Sequence, residues 1–207
     1  HKVLYINTSV ETWDSYAKLE APGSYIKSLH YLQMKLRELS KDWKDAPTAV
    51  VDHGANPGLI SHFVKQGLVD ITNRLIADKK VSEADEEELN QYKKSLNFAQ
   101  LAQKLGVKVI HCSERDTQIT DRPKKVNEFV GTWSIVGLRE EGSAPSELGW
   151  GTHEQKLPLL AALPPRGPKN QIFLAQMGMN TWVRSWIPNE EIVGMVIRHG
   201  EAFGISD

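Results

Sequence analysis

An α/β fold is predicted by three features of this sequence: short apolar runs rich in β-branched residues, polar turns directly after them, and helical periodicity beyond the turns. From the amino end the pieces run β-α-β-α, an order that favours a parallel sheet with helices packed on it.

The first run, KVLYIN, reads as a buried parallel strand, and a loop from Asn7 to Gly23 follows it. Around residues 24–39, Ile26, Leu29, Leu32, Leu36 and Leu39 share one face of a helix. The second strand is TAVVD, and DHGANPGLIS leads from it into a helix in which Leu59, Ile60, Phe63, Val64, Leu68, Val69 and Ile71 recur at three and four residues. Pro57 fits the first turn of that helix, where its missing N–H costs nothing. Asn56 then sits on a strand-to-helix turn. It either shapes the turn or faces a ligand, because ligands of open α/β sheets bind at the carboxyl ends of the strands.

The charged stretch 76–95 reads as a solvated helix pair or insertion with no chemistry of its own. A further helix, 96–105, stops at Gly106, which tolerates positive φ. VKVIHCSERDTQ repeats the pattern of apolar strand and polar turn. From Val126 the helical period weakens, and FVGTWSIVGLREEGSAPSELGWGTHE reads as strand and loop. The proline-rich joint LPLLAALPPRGPKN precedes QIFLAQMGMNTWVRSWIP and EIVGMVIRHGEAFGIS, both of which hold strand-like runs.

Composition narrows the function. Lys+Arg 25 against Asp+Glu 26 gives a formal net charge of -1, which disfavours nucleic acid and anionic membrane surfaces as partners. With 207 residues and 40% hydrophobic, the chain has enough apolar surface for a real core. No stretch approaches the roughly 20 apolar residues of a membrane span. The single Cys112 excludes an internal disulfide framework and points to a reducing, cytoplasmic setting. The start at His1 and the stop at Asp207 read as the ends of an internal piece of a longer protein.

Glycine-rich phosphate loops, nucleophile elbows and zinc-protease motifs do not occur, and His53, His62, His111 and His153 lack the spacing of a zinc site, so no metal is expected. Cys112, at the end of an apolar run, is read as a small buried hydrophobe and chemically inert. What remains is a set of carboxylates at turns: Glu11, Glu114, and the pair Glu140 and Glu141, with Trp133 nearby. Carboxylates bind ammonium groups and an indole face attracts cations, so convergence of these turns would suit a flexible dication.

Five stretches in one consistent order, INTSVETW, VDHGANPGLISHF, HCSERDTQ, TWSIVGLREEGSAPSELGWGTHE and RHGEAFGIS, resemble the bacterial homospermidine synthases of the saccharopine-dehydrogenase-like group. The resemblance covers most of the chain and places it in the middle of such an enzyme. It implies residues 1–75 as the carboxyl-terminal part of a Rossmann-like dinucleotide-binding domain with linking helices, and 76–207 as a mixed-sheet substrate-binding and dimerisation domain. It further implies NAD as cofactor, putrescine and related diamines as substrates, and a homodimer. By motif, Asn56, Glu141 and His199 take catalytic positions; Glu11, Glu114 and Trp133 bind the diamine; Asn7, Thr8 and Ser9 line the nicotinamide side. Two alternatives stay open. One is a saccharopine- or carboxynorspermidine-type dehydrogenase, whose carboxylated substrate would call on Arg115 or Arg139. The other is a structural stretch without catalysis of its own.

Overall fold

The computed structural model describes residues 3–10, 23–128, 130–131, 133–151, 154–187 and 189–206. The predicted β-α-β-α order is present at the amino end. Strand β1, Tyr5–Ile6, pairs in parallel with β2, Ala49–Val50, and helices α1, Leu29–Ser40, and α2, Leu59–Ala77, follow them. The strands are exposed rather than buried as expected: Ile6 is 74% accessible, and no described element covers this two-residue pair.

Helix α1 begins where Ser28 accepts a hydrogen bond from the Tyr31 N–H, one of the donors a helix start leaves unpaired. The buried Glu147 carboxylate accepts from the Leu29 and His30 N–H groups at 2.8 and 3.0 Å, tying this helix to a strand 117 or 118 residues away in sequence. Helix α2 departs from expectation at its start. Pro57 lies outside the first turn, inside a tight loop closed by Gly54 N–H to the Pro57 carbonyl, 2.6 Å, and Leu59 N–H to the Gly54 carbonyl, 2.9 Å. The Asn56–Pro57 peptide is cis, and Gly58 takes the cap position at φ 123, a conformation that a side chain would oppose. A Cβ there would also stand 2.6 Å from the Gly54 carbonyl oxygen.

Helices α3, Glu83–Lys94, and α4, Phe98–Lys104, fold back onto α2. Leu68, Leu89 and Leu101 form a buried cluster between the three, so the charged 76–95 stretch is solvated on most of its surface and anchored through Leu89, with Val81 and Tyr92 packed beside it. Asn97 caps α4, and Gly106 ends it at φ 73 as expected.

The residues after Gly106 bring two corrections. The stretch 107–120 forms no strand, and Val109 and Cys112 are exposed. His111 and Ser113 instead meet the Ser185 hydroxyl by their side chains, and no backbone ladder joins the two segments. The second correction concerns the region read as strand and loop, which contains helix α5, Ile135–Ser143. Two β-branched residues and Gly137 and Gly142 weaken its propensity, while the Ser134 hydroxyl caps it by accepting from the Gly137 N–H at 3.0 Å. Glu140 and Glu141 therefore lie on a helix, not on a turn after a strand.

The carboxyl-terminal half holds the expected strands. β3, Pro145–Gly149, and β4, Ala161–Ala162, flank β5, Gln171–Met177, in an antiparallel sheet of order β3-β5-β4. A hairpin of β6, Trp182–Ile187, and β7, Glu190–Met195, precedes the short helix α6, Glu201–Gly204. Parallel and antiparallel ladders thus occur in separate sheets.

Candidate active site

The ends of β1 and β2, the 109–114 segment, α5 and the 196–201 turn converge on one open cleft of about 1640 Å³. Thr8, Ser9, Asn56, Glu114, Trp133, Glu141 and His199 all line it. Residues more than 190 positions apart in sequence are thereby brought together. Asn7 is not among the lining residues: its side chain accepts from the Ser9 N–H at 3.1 Å and donates to the Tyr5 hydroxyl at 2.9 Å, which shapes the turn after β1. Glu11 lies outside the described residues.

Asn56 caps no helix. Its amide donates to the Glu114 carboxylate at 2.8 Å, so the loop after β2 holds the 114 segment across the cleft. Trp133 is no core ring. It is 55% exposed and lies over Gly137, where a Cβ would come within 2.6 Å of the indole. A glycine one helical turn onward is what lets the ring lie flat on α5 and face the cleft.

His199 is the centre of the charged groups. Its Nδ1 hydrogen-bonds Glu201, and its Nε2 is 3.9 Å from Glu141, an ion-pair distance too long for a hydrogen bond. Burial pulls the imidazole pKa down, but the Glu201 hydrogen bond, with the charges of Glu201, Glu141 and Asp52, outweighs it and raises the group above its ordinary value. The net effect favours imidazolium. The sign of the pH dependence follows: this group stabilises the fold fully below the ordinary value of 6.5 and ceases to as pH rises through its higher folded value. We therefore expect a loss of thermal midpoint above about pH 6.5 that shrinks in Glu201→Gln, checked by melting both proteins from about pH 5 to pH 9.

Sequence reasoning missed Asp52, Arg198 and Glu201. Asp52 lies two residues beyond β2 at φ 58, a region Asp tolerates better than most residues, and accepts from the Gln33 amide at 2.9 Å. Burial pushes its carboxyl up, against that hydrogen bond. Arg198 is buried; it donates to Glu140 at 2.6 Å and to the Lys27 carbonyl. The signal available was the flanking of His199 by opposite charges in RHGE. Gly200 permits the whole approach: a Cβ would meet the Asp52 carboxylate and come within 2.7 Å of the Pro57 ring. Gly200→Ala should cost about 1–3 kcal/mol and part the 196–201 turn from the Asp52 loop, which denaturant unfolding would register.

The cleft is acidic in balance. Asp52, Glu114, Glu140, Glu141, Glu147, Glu154 and Glu201 line it against Lys65, Lys108, Lys169 and Arg198. Neither Arg115 nor Arg139 is on its wall, and Arg115 pairs with Glu190 at 2.5 Å. Although Cys112 is exposed, partial desolvation by its surroundings in the cleft raises the thiol, which disfavours a thiolate nucleophile. Among the described residues, no group of three or more His, Cys, Asp or Glu is placed to hold a metal ion.

Comparison with known proteins gives the same direction. A homospermidine synthase of Mesorhizobium japonicum is 41% identical over 210 residues, covering 99% of this chain and 41% of the relative. One of Blastochloris viridis is 40% identical over the same shares. The chain thus spans about two fifths of the length of the curated relatives it matches. Among solved structures, the homospermidine synthase of Legionella pneumophila in complex with NAD superposes with a TM-score of 0.68 at 36% identity, over 96% of this chain and 39% of that one. With residues 54–207 matching the saccharopine dehydrogenase C-terminal domain, the chain belongs to that family.

Proposed function

We propose that the protein containing this chain is a homospermidine synthase: an NAD-dependent aminobutyl transferase that joins two putrescine molecules into homospermidine with release of ammonia. The single observation that carries this reading is the acidic cleft in which Asn56–Glu114, Trp133 and the Glu141–His199–Glu201 array face one another. Likeness to named homospermidine synthases over nearly the whole chain supports it.

NAD, when bound, takes a hydride from the amine carbon and returns it to the product imine. Thr8 and Ser9 fit the nicotinamide side, at the carboxyl end of β1 and on the wall of the same cleft. This chain's own residues do the rest. Glu114, held by Asn56, anchors the distal ammonium of the diamine, and Trp133 attracts the incoming cation by its ring face. Hydride loss requires the reacting amine to be neutral, so the Glu141 carboxylate takes its proton, while the His199 imidazolium gives one to departing ammonia and is recharged from Glu141. Glu201 holds the imidazole by Nδ1 so that Nε2 faces Glu141. By its motif, Glu11 is a further carboxylate for the diamine. Seven carboxylates against four basic groups on the cleft wall favour a cationic over a carboxylated substrate.

Residues 1–75 complete a nucleotide-binding domain and 76–207 form the substrate and dimerisation domain of a cytoplasmic homodimer. The exposed Trp182 and Trp186 on β6 suit a subunit contact. Among the described residues, no helix is long and apolar enough to cross a membrane.

Assay of the full-length protein with NAD and either putrescine or a carboxylated analogue decides the substrate. Turnover of the analogue alone would overturn the reading. Calorimetric titration with NAD should show binding to the full-length protein and little to residues 1–207. The role of Trp133 has its own test: Trp133→Phe should keep part of the activity, while Trp133→Ala and Trp133→Leu should lose about tenfold or more. A stable Trp133→Leu variant with turnover near that of the parent would remove the cation role.

A further inference from the structure

The segment that carries Glu114 has neither helix nor strand to fix it, although Glu114 must stand at a defined place for any ammonium to meet it. Side chains hold it instead, and they do so with a period of two. His111 Nδ1 lies 3.0 Å from the Ser185 hydroxyl, Ser113 Oγ lies 2.5 Å from the same hydroxyl, and Arg115 reaches Glu190 at 2.5 Å. The residue between the last two, Glu114, meets Asn56 at 2.8 Å. Alternate residues of an extended chain point to opposite sides, so anchoring 111, 113 and 115 to the hairpin turns 114 away from it, toward the β2 loop.

Ser185 is the shared partner in this arrangement. It sits in the middle of β6, is 3% exposed, and pairs in register with Ile192 of β7. Its hydroxyl has one proton to donate and lone pairs to accept with, so it can serve His111 and Ser113 together, donating to one and accepting from the other. The His111 ring also stacks on Trp186, with centroids 6.5 Å apart and planes at 20°. Successive residues of a strand face opposite sides, and one ring that touches both Ser185 and Trp186 lies across the open edge of β6. The hairpin thus grips the segment at its edge by side chains where a neighbouring strand would have used its backbone.

We infer that Ser185 is a positioning residue for the candidate active site: its hydroxyl sets the register of residues 111–115 and so turns Glu114 onto Asn56 and into the cleft. A slip of one residue along β6 would reverse the alternation and carry the Glu114 carboxylate to the hairpin side. The inference rests on the reading of Glu114 as a diamine anchor, and it adds a residue that touches neither substrate nor cofactor.

The test compares Ser185→Thr, Ser185→Val and Ser185→Ala in the full-length protein. Thr and Val have nearly one shape and differ by the hydroxyl, so any cost of the added bulk is common to both. The rate of tryptic cleavage after Lys108 and Arg115, which lie in this exposed irregular segment, and steady-state kinetics with putrescine are the two readouts, with the thermal midpoint as a check on folding. Val and Ala are expected to be cut at least about threefold faster in this segment and to raise KM about three- to tenfold with kcat within about twofold, while Thr stays near the parent. Equal cleavage of Thr and Val would overturn the inference, as would faster cleavage of Val with an unchanged KM. A parent protein without diamine turnover would sink the functional reading instead, and the cleavage comparison would still decide whether Ser185 anchors the segment.

Discussion

Glu141→Gln is expected to lower putrescine turnover by about a hundredfold or more in the full-length protein while leaving its thermal midpoint within about 2 °C of the parent. The change keeps the side-chain volume and removes one charge from the group 3.9 Å from His199 Nε2. It acts in two ways. It takes away a carboxylate that can accept the reacting amine's proton, and it removes one of the charges that raise the imidazole. His199 in the variant should therefore titrate at lower pH, a shift that NMR of the ring would follow. Near-normal homospermidine formation by Glu141→Gln would take Glu141 out of the mechanism.

The largest loss of stability is expected from Arg198→Ala. Its guanidinium is buried, and it joins Glu140 on α5 to the Lys27 carbonyl before α1. Removal takes the guanidinium away from Glu140, whose side chain is only 17% exposed. Breaking such a pair costs about 3–5 kcal/mol, or roughly 6–20 °C of thermal midpoint in a domain of this size. The pair is also a matter of geometry at the site. Arg198 and Glu140 immediately precede His199 and Glu141, so one ion pair fastens the backbone beside the other. Arg198→Met combined with Glu140→Leu removes both charges and should recover much of the stability. A single Arg198→Ala variant within about 1 kcal/mol of the parent in denaturant unfolding would show that the two elements hold together without this contact.

Much of the site was legible as residues but not as places. Glu114, Glu141, His199, Asn56 and Trp133 stood out in sequence because each lies in a short polar or aromatic stretch beside an apolar run, and the structure brings all five to one cleft. Their local settings were less legible. Helix α5 was hidden by Gly137 and Gly142, and those glycines have low helix propensity while one of them makes room for Trp133. The apolar run before Cys112 promised a strand, yet a strand exists only where a partner supplies a ladder, and the neighbour here is met by side chains.

By itself the sequence determined the β-α-β-α opening, the helix stop at Gly106, the strands of the carboxyl-terminal half and the carboxylates that make the cleft acidic. These follow from properties each residue carries locally: side-chain periodicity, backbone freedom and charge. Only the tertiary structure decided that Asp52, Arg198 and Glu201 belong to the site, that Gly200 must lack a side chain, and that Ser185 reaches the segment of Glu114. Those facts depend on contacts between residues 58 to 171 positions apart, and nothing in the local pattern encodes which of many possible neighbours a buried charge or hydroxyl will meet.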